Sequence, residues 1–471
     1  MTAAPQRQNE KRLLKRELGL VDLTLFYIAG GLSLRWIATA AAAGPGTILI
    51  WIFACLCFFV PLAASVLELS ARYPQEGGLY VWTQHAFGDF GGFMAAWSYW
   101  MSNLPYFPAV LYFGASSLLF AVPHGQRLQN TSSYYLVFAI ASLGLIMLLN
   151  IRGLRYGKWL NSVGALGSWL PVLCLLLLGV VTFFRYGSAT QFTAATMTPH
   201  LDLKHAMFWS TIFFAFGGCE SGSFMSEEIE DARRTIPQAL IVSGIVLAIS
   251  YIAGTVALLV ALPRSAISGL SGFTAVIQGM SSRFGLSWLS VLVALLVALS
   301  SIGGAASFLS STSRLPFVAG IDRYLPAFFG RVHARWGTPW VAIFSYGMAG
   351  ILCTLFSQAG TSVKSAYNLL VSMSIITYFI PFAFLFLAMI RLQRTPAPPG
   401  VTRIPGGRPA AIFLASMGLA TTLLTIFLSL FPSDDEPHPV LAVIKLLGSA
   451  ALLISAGAGL FYSSKWRRNI G

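Results

Sequence analysis

A carboxylate stranded inside an apolar stretch is the first group in this chain placed to do chemistry. Residues 211–240 read TIFFAFGGCESGSFMSEEIEDARRTIPQAL. Phe213, Phe214, Ala215 and Phe216 lead into Gly217-Gly218, Glu220 stands alone, and Glu227, Glu228, Glu230 and Asp231 gather further on. Non-helical backbone at membrane depth persists only where it is buried in protein or lines a wet cavity, and an ionisable group there marks a functional site by default. The plainer alternative is a close-packed glycine pair with an acid bonded to a polar neighbour. A second interruption of the same kind weighs against it. Ala29-Gly30-Gly31-Leu32-Ser33 breaks the run VDLTLFYIAGGLSLRWIATAAAAGPG, with Arg35 and Trp36 close behind.

Two such breaks make a binding site from backbone alone. The N-terminus of a half-helix offers unpaired N–H groups and a partial positive charge, which suit a carboxylate. The C-terminal end offers carbonyls, which suit an ammonium or a metal cation. Crossed together, two broken helices can hold both ends of a zwitterion. Interrupted segments in corresponding positions of two halves are also the sequence pointer to a transporter site.

The elements that must carry these breaks are membrane spans. The 471 residues are 56% hydrophobic and only 10% charged, whereas soluble domains carry about 25% charged residues. A span needs about 20 mostly apolar residues. Twelve such runs can be drawn, near 21–43, 46–70, 89–121, 132–150, 158–184, 205–228, 236–261, 285–313, 338–357, 364–392, 408–431 and 437–462. The chain is thus an all-α multi-pass membrane protein. The third run carries Trp97, Trp100, Asn103, Pro105 and Tyr106, polar enough to line a cavity, although its tryptophans read equally well as lipid-interface anchors. The eighth is rich in small residues, with Ser300, Ser301, Gly303-Gly304 and Ser307, which suits close packing against a broken helix.

The net charge of +14 is topological rather than a nucleic-acid signature. With the N-terminus inside, 22 of the 30 Lys and Arg fall on the cytoplasmic side, as the positive-inside rule requires. Both termini are then cytoplasmic and anionic headgroups are the partner. All five cysteines lie within runs and the six histidines in loops or at run ends, so neither disulfide, metal site nor cofactor is expected. No nucleophile–base constellation suggests an enzyme. Lys445 in the last run has no role assigned by the sequence; snorkelling and pairing at an oligomer interface are its two readings.

Four stretches resemble the signatures of the amino acid–polyamine–organocation (APC) transporter superfamily: ELSARYPQEGGLYVW, NIRGLRYGKW, FAFGGCESGSFMSEEIEDARRTIP, and SRLPFVAGIDRYLPAFF followed by RWGTP. The chain is most similar to bacterial exchangers of the glutamate/GABA type and to plant-type polyamine uptake proteins. The resemblance implies a LeuT-like APC fold. This has twelve transmembrane helices, a five-plus-five inverted repeat with helices 1 and 6 broken, and rocking alternating access. The corresponding division is a basic tail at 1–20, a transport core at 21–392 (repeats 21–184 and 205–392), a linker at 393–407, two accessory helices at 408–462 and a tail at 463–471.

Carried over by position, Phe214 falls on the family's gating aromatic. Ala215, Phe216 and Gly217 supply carbonyls for an α-ammonium, Gly218 completes the break, and Glu220 falls on the membrane acid. Gly30, Gly31 and Leu32 fall on the carboxylate-binding turn, with Ala29, Ser33 and Asn103 beside it. Leu32 departs from the family's third glycine. Arg35 stands where the family is apolar, which raises the reading of a second acidic group on the substrate. The function read from the chain is secondary active transport of amino acids across the cell membrane, by antiport or proton symport. A polyamine permease of the same fold is the alternative, disfavoured because Arg35 would repel a polycation, and a transporter-like membrane sensor is a remote one. The expected partners are an amino acid and the bilayer, with proton coupling and homo-oligomer formation left open.

Overall fold

The computed structural model describes residues 16–199, 206–264, 267, 270–321, 324–358, 363–396, 401, 403–431 and 439–470. Most of the basic tail, part of the linker (397–400 and 402), Lys204 and the side chains of Lys364 and Lys445 lie outside the described residues. Among those described there is no sheet, only one parallel bridge between Leu18 and Ile229. All else that is regular is helical: α1 (Leu20–Gly31), α2 (Leu34–Ala43), α3 (Thr47–Arg72), α4 (Leu79–Ser102), α5 (Tyr106–Leu118), α6 (Ser132–Ile151), α7 (Leu154–Tyr186) and α8 (Ala206–Ala215) come first. Then follow α9 (Ala232–Ala261), α10 (Gly272–Arg283), α11 (Ser287–Thr312), α12 (Arg314–Ile321), α13 (Trp340–Ser357), α14 (Val363–Leu392), α15 (Gly407–Leu428) and α16 (Pro439–Ile470).

Eight of the described spans are long and apolar enough to cross a membrane, or nine when α1 and α2, bent by 40° at their junction, count as one. The bend has a local cause. Each glycine costs a helix about 1 kcal/mol relative to alanine, and after Gly30-Gly31 the backbone of Leu32 (φ −83°, ψ 96°) and Ser33 (φ −108°, ψ 113°) is extended. The sixth run breaks too. α8 stops at Ala215, a string of turns covers Phe216–Glu220, and a 3₁₀ segment runs from Ser221 to Glu228. Gly218 has φ +107°, a conformation glycine adopts without steric cost. The third run, 89–121, is not one helix either. α4 begins earlier, kinks at Gly88 and ends at Ser102, and Asn103–Pro105 separates it from α5. Proline lacks the N–H that a continuous ladder would need.

α11 is the central strut, packed on α7, α5 and α1. Its closest crossing is with α7, where a Cβ placed on Gly164 would stand 2.5 Å from the Gly303 Cα. Small residues let backbones approach in this way, and they leave room for the hydroxyl pair Ser168–Ser300 (2.5 Å) and for the Ser307 hydroxyl to donate to the Asn161 side-chain carbonyl (3.1 Å) on either side. In α3 a π-helical turn at Cys55–Phe59 buries both Phe58 and Phe59, and the hydroxyl of Thr421 on α15 donates to the Cys57 carbonyl (3.0 Å). At the end of α3, Glu68 accepts from Gln393 Nε2 (2.7 Å) and from the Ile404 amide (3.1 Å), while Arg72 pairs with Glu68 and donates to the Leu392 carbonyl (3.1 Å). The segment between α14 and α15 is thus clamped to α3 at Gln393 and Ile404.

Gly164→Leu would drive a side chain into the α11 backbone. Overpacking of this kind costs about 1–3 kcal/mol, so thermal unfolding in detergent should shift down by several degrees, whereas Gly144→Leu, with open space around it, should not shift it.

Candidate functional site

The two breaks meet at a single side chain. Tyr251 on α9 accepts a hydrogen bond from the Ser33 amide (3.1 Å), and its hydroxyl lies 2.5 Å from the Gly31 carbonyl and 3.2 Å from the Ala215 carbonyl, the acceptors for its proton. Its ring is held flat against Trp51, 4.5 Å between centroids at 6°, and edge-on to Phe216. Trp51 is anchored in turn by Thr255 on α9 (3.0 Å).

Beside this tie lies a small cavity. Gly30, Gly31 and Ser33 of the first break and Phe214, Ala215 and Gly217 of the second form two of its walls. Asn103 and Tyr106, at and just after the α4–α5 interruption, contribute a third, and Trp36, Phe308 and Tyr378 close it. The rings interlock edge to face: Trp36 on Phe214 (5.5 Å), Phe214 on Tyr378 (5.0 Å), and Tyr106 tilted on Phe308 (4.8 Å). The free volume, about 20 Å³, admits a water or two and not an amino acid, so the site is closed in this conformation.

The remaining residues singled out from the sequence stand near this cavity without lining it. Glu220 is fully buried. It accepts from the hydroxyls of Tyr99 and Tyr378 (3.0 Å) and from the Gly218 amide (3.2 Å). It therefore touches the cavity only through the Tyr378 ring. Phe216 turns away to pack on Trp51 and Phe59. Ala29 and Leu32 are buried in the core, and Gly218 faces the Phe308 ring. Arg35 is buried, its guanidinium 4.0 Å from the Trp36 ring centroid and 5.2 Å from that of Tyr106. Trp97 is neither cavity wall nor lipid anchor: it donates to the Leu453 carbonyl of α16 (2.9 Å). Tyr99, Tyr251, Phe308 and Tyr378 went unread in the sequence, because an aromatic at helical spacing in an apolar run carries no mark of the face it occupies.

The acidic run after the second break closes one end of the bundle. Arg233 and Arg234, the arginines nearest to it in the chain, are exposed. Glu228 instead forms a two-pronged ion pair with buried Arg314 (2.7 and 2.9 Å). The Leu18 amide donates to the Glu228 carbonyl (3.2 Å) and the Glu230 amide to the Leu18 carbonyl (2.9 Å), so the segment entering α1 is stitched to the segment leaving the second break. Glu76, in the turn between α3 and α4, accepts from the Glu227 amide (3.0 Å). Burial, then the Glu228 and Glu227 carboxylates, push the Glu76 carboxyl well above the usual range, against the pull of Arg314.

Apolar spans, two helix breaks facing one cavity, and a second polar lock at one end define the class of α-helical membrane transporters. The amino acid permease family model matches residues 18–447, and the chain belongs to that family, as a transporter and not an enzyme. It is 27% identical to an uncharacterized transporter of Legionella pneumophila, over 90% of this chain and 91% of the relative. It is 26% identical to a probable agmatine/putrescine antiporter of Lactococcus lactis, over 81% and 82%. It is 24% identical to a glutamate/serine transporter of Bacillus subtilis, over 70% and 64%.

The sign of the Glu76 shift sets a pH response. A carboxyl whose pKa is raised in the closed arrangement binds its proton more tightly there than when hydrated, so closure is favoured at low pH and weakened as pH rises through the closed-state pKa. Hydrogen exchange at the Leu18 and Glu230 amides, corrected for intrinsic base catalysis, should accelerate with pH. Glu76→Gln should flatten that dependence and keep the lock closed.

Proposed function

We propose that this permease is a secondary active transporter of amino acids, working by alternating access as an antiporter or proton symporter. The observation that carries the reading is the Tyr251 tie, which sets two bared helix ends against one cavity. The turn at Gly30, Gly31, Leu32 and Ser33 would take the α-carboxylate, with the Ser33 amide passing from Tyr251 to the substrate, and the carbonyls of Ala215 to Gly217 the α-ammonium. Phe214, wedged between Trp36 and Tyr378, would gate. The frame for this motion is a twelve-span protein with a five-plus-five inverted repeat at 21–392 and accessory helices at 408–462. The basic-residue bias supports cytoplasmic termini at both ends and a place in the plasma membrane. The Leu18–Glu228–Arg314 lock would then be the cytoplasmic gate.

A polyamine permease is the second reading, favoured by the agmatine/putrescine antiporter among the relatives. Polycations call for several acids or aromatic cages. The cavity supplies aromatic walls, Trp36, Tyr106, Phe214, Phe308 and Tyr378, but no acid, and the nearest acid, Glu220, already accepts three hydrogen bonds. Counterflow of labelled amino acids, putrescine and agmatine into substrate-loaded proteoliposomes tests this directly. Accumulation of amino acids is expected, and accumulation of the amines alone would replace the reading with the second.

Tyr251→Phe keeps the ring and removes the tie. Leaving buried backbone groups unpaired costs about 1–3 kcal/mol, so flux should fall roughly tenfold or more in protein that still runs as a single species on size exclusion. Glu220→Gln should leave the fold intact and abolish the pH dependence of flux if the carrier moves protons through that carboxyl. An unchanged pH profile would remove Glu220 from coupling.

A further inference from the structure

We propose that the transported amino acid carries a second carboxylate, and that Arg35 reads it. The inference rests on the carrier reading above and names its substrate class. Arg35 is 1% exposed, and its Nε and Nη1 have no hydrogen-bond partner. None of the ion pairs among the described residues includes it. The other buried arginines contrast with it: Arg72 pairs with Glu68 and Arg314 with Glu228. Arg35 also lies in the first turn of α2, where the helix dipole disfavours a cation. A buried guanidinium so placed is uncompensated by any fixed acid among the described residues, and removing a charge from water without a partner is among the costliest arrangements a protein can hold.

What surrounds Arg35 places the missing anion. Its guanidinium lies over Trp36 and Tyr106, and both rings line the cavity. Tyr367 on α14 is close enough to feel the guanidinium, and the Arg35 charge acts also on the hydroxyls of Tyr106 and Tyr251. The cation therefore stands at the rim of the cavity, two residues beyond Ser33. An α-carboxylate on the N–H groups of the first break would leave a side chain free to extend toward it. A planar carboxylate matches the guanidinium fork. A side-chain amide of the same shape does not neutralise it, and a polyamine is repelled. Chloride would offer the same charge without the two-ended fit.

The test compares isosteric pairs. Proteoliposomes are loaded with unlabelled amino acids, and counterflow of labelled glutamate and aspartate is measured against glutamine and asparagine, putrescine and agmatine, in chloride and in gluconate. The acids should be preferred over their amides by at least about tenfold in kcat/KM, because a site built for a hydrogen-bonded charge rejects the analogue lacking it. Arg35→Gln should erase that ratio and Arg35→Lys restore part of it, the restoration separating recognition from a folding defect. Equal loss for acids and amides in both variants would overturn the assignment. So would wild-type counterflow confined to neutral amino acids or to the diamines, which would leave the carrier reading standing. Flux that requires chloride and ignores acid against amide would give Arg35 to an inorganic anion instead. No counterflow of any solute would overturn the carrier reading and this one with it.

Discussion

One phenolic hydroxyl sets the geometry of the centre of this protein. Tyr251 has a single proton to give and two lone pairs to offer, and it meets the Ser33 amide, the Gly31 carbonyl and the Ala215 carbonyl at once. Each of those groups lost its intrahelical partner when its helix broke. In a bilayer core no water is at hand to replace it. The breaks are tolerated because they are adjacent and share a partner on a third helix. The stack of Tyr251 on Trp51, and of Trp51's indole N–H on Thr255, fixes that partner in place.

Around that tie the polar groups follow opposite rules. Glu220 is buried with three donors, and Glu228 is buried with a bidentate arginine. Arg35 is buried with aromatic faces and orphaned N–H groups. Buried charges are ordinarily paired. The saturated acids hold this conformation together, and the unsaturated cation is held by it. A closed cavity beside the unsaturated group is consistent with a site that completes its own electrostatics only when loaded.

The sequence made the breaks legible because glycine pairs and lone ionisable residues are rare inside apolar runs, and they stood out at Gly30-Gly31 and Gly217-Gly218. It also announced the residues nearest them: Ser33, Asn103, Tyr106 and Phe214 all line the cavity. The aromatic far walls were hidden. Phe308 and Tyr378 sit in α11 and α14, where nothing in an unbroken apolar helix distinguishes an inward ring from a lipid-facing one. Long-range pairing was hidden for a related reason. Glu228 chose Arg314, 86 residues away, over Arg233 and Arg234 close by, because only the distant arginine is buried beside it. The split of the third run at Asn103–Pro105 was signalled by its proline but masked by the hydropathy on either side.

The contacts of α3 carry a consequence for how the chain is made. Its π-turn leaves the Cys57 carbonyl to Thr421, and Glu68 is satisfied by Gln393 and the Ile404 amide. During synthesis from the N-terminus, α3 enters the bilayer more than 300 residues before those partners exist. Until the C-terminal part of the polypeptide leaves the ribosome, Glu68 has only Arg72 of its own helix as partner, and the bonds to Gln393, the Ile404 amide and Thr421 are still to form. A truncation just beyond α14 would remove all three late partners at once and leave α3 with its local ion pair alone.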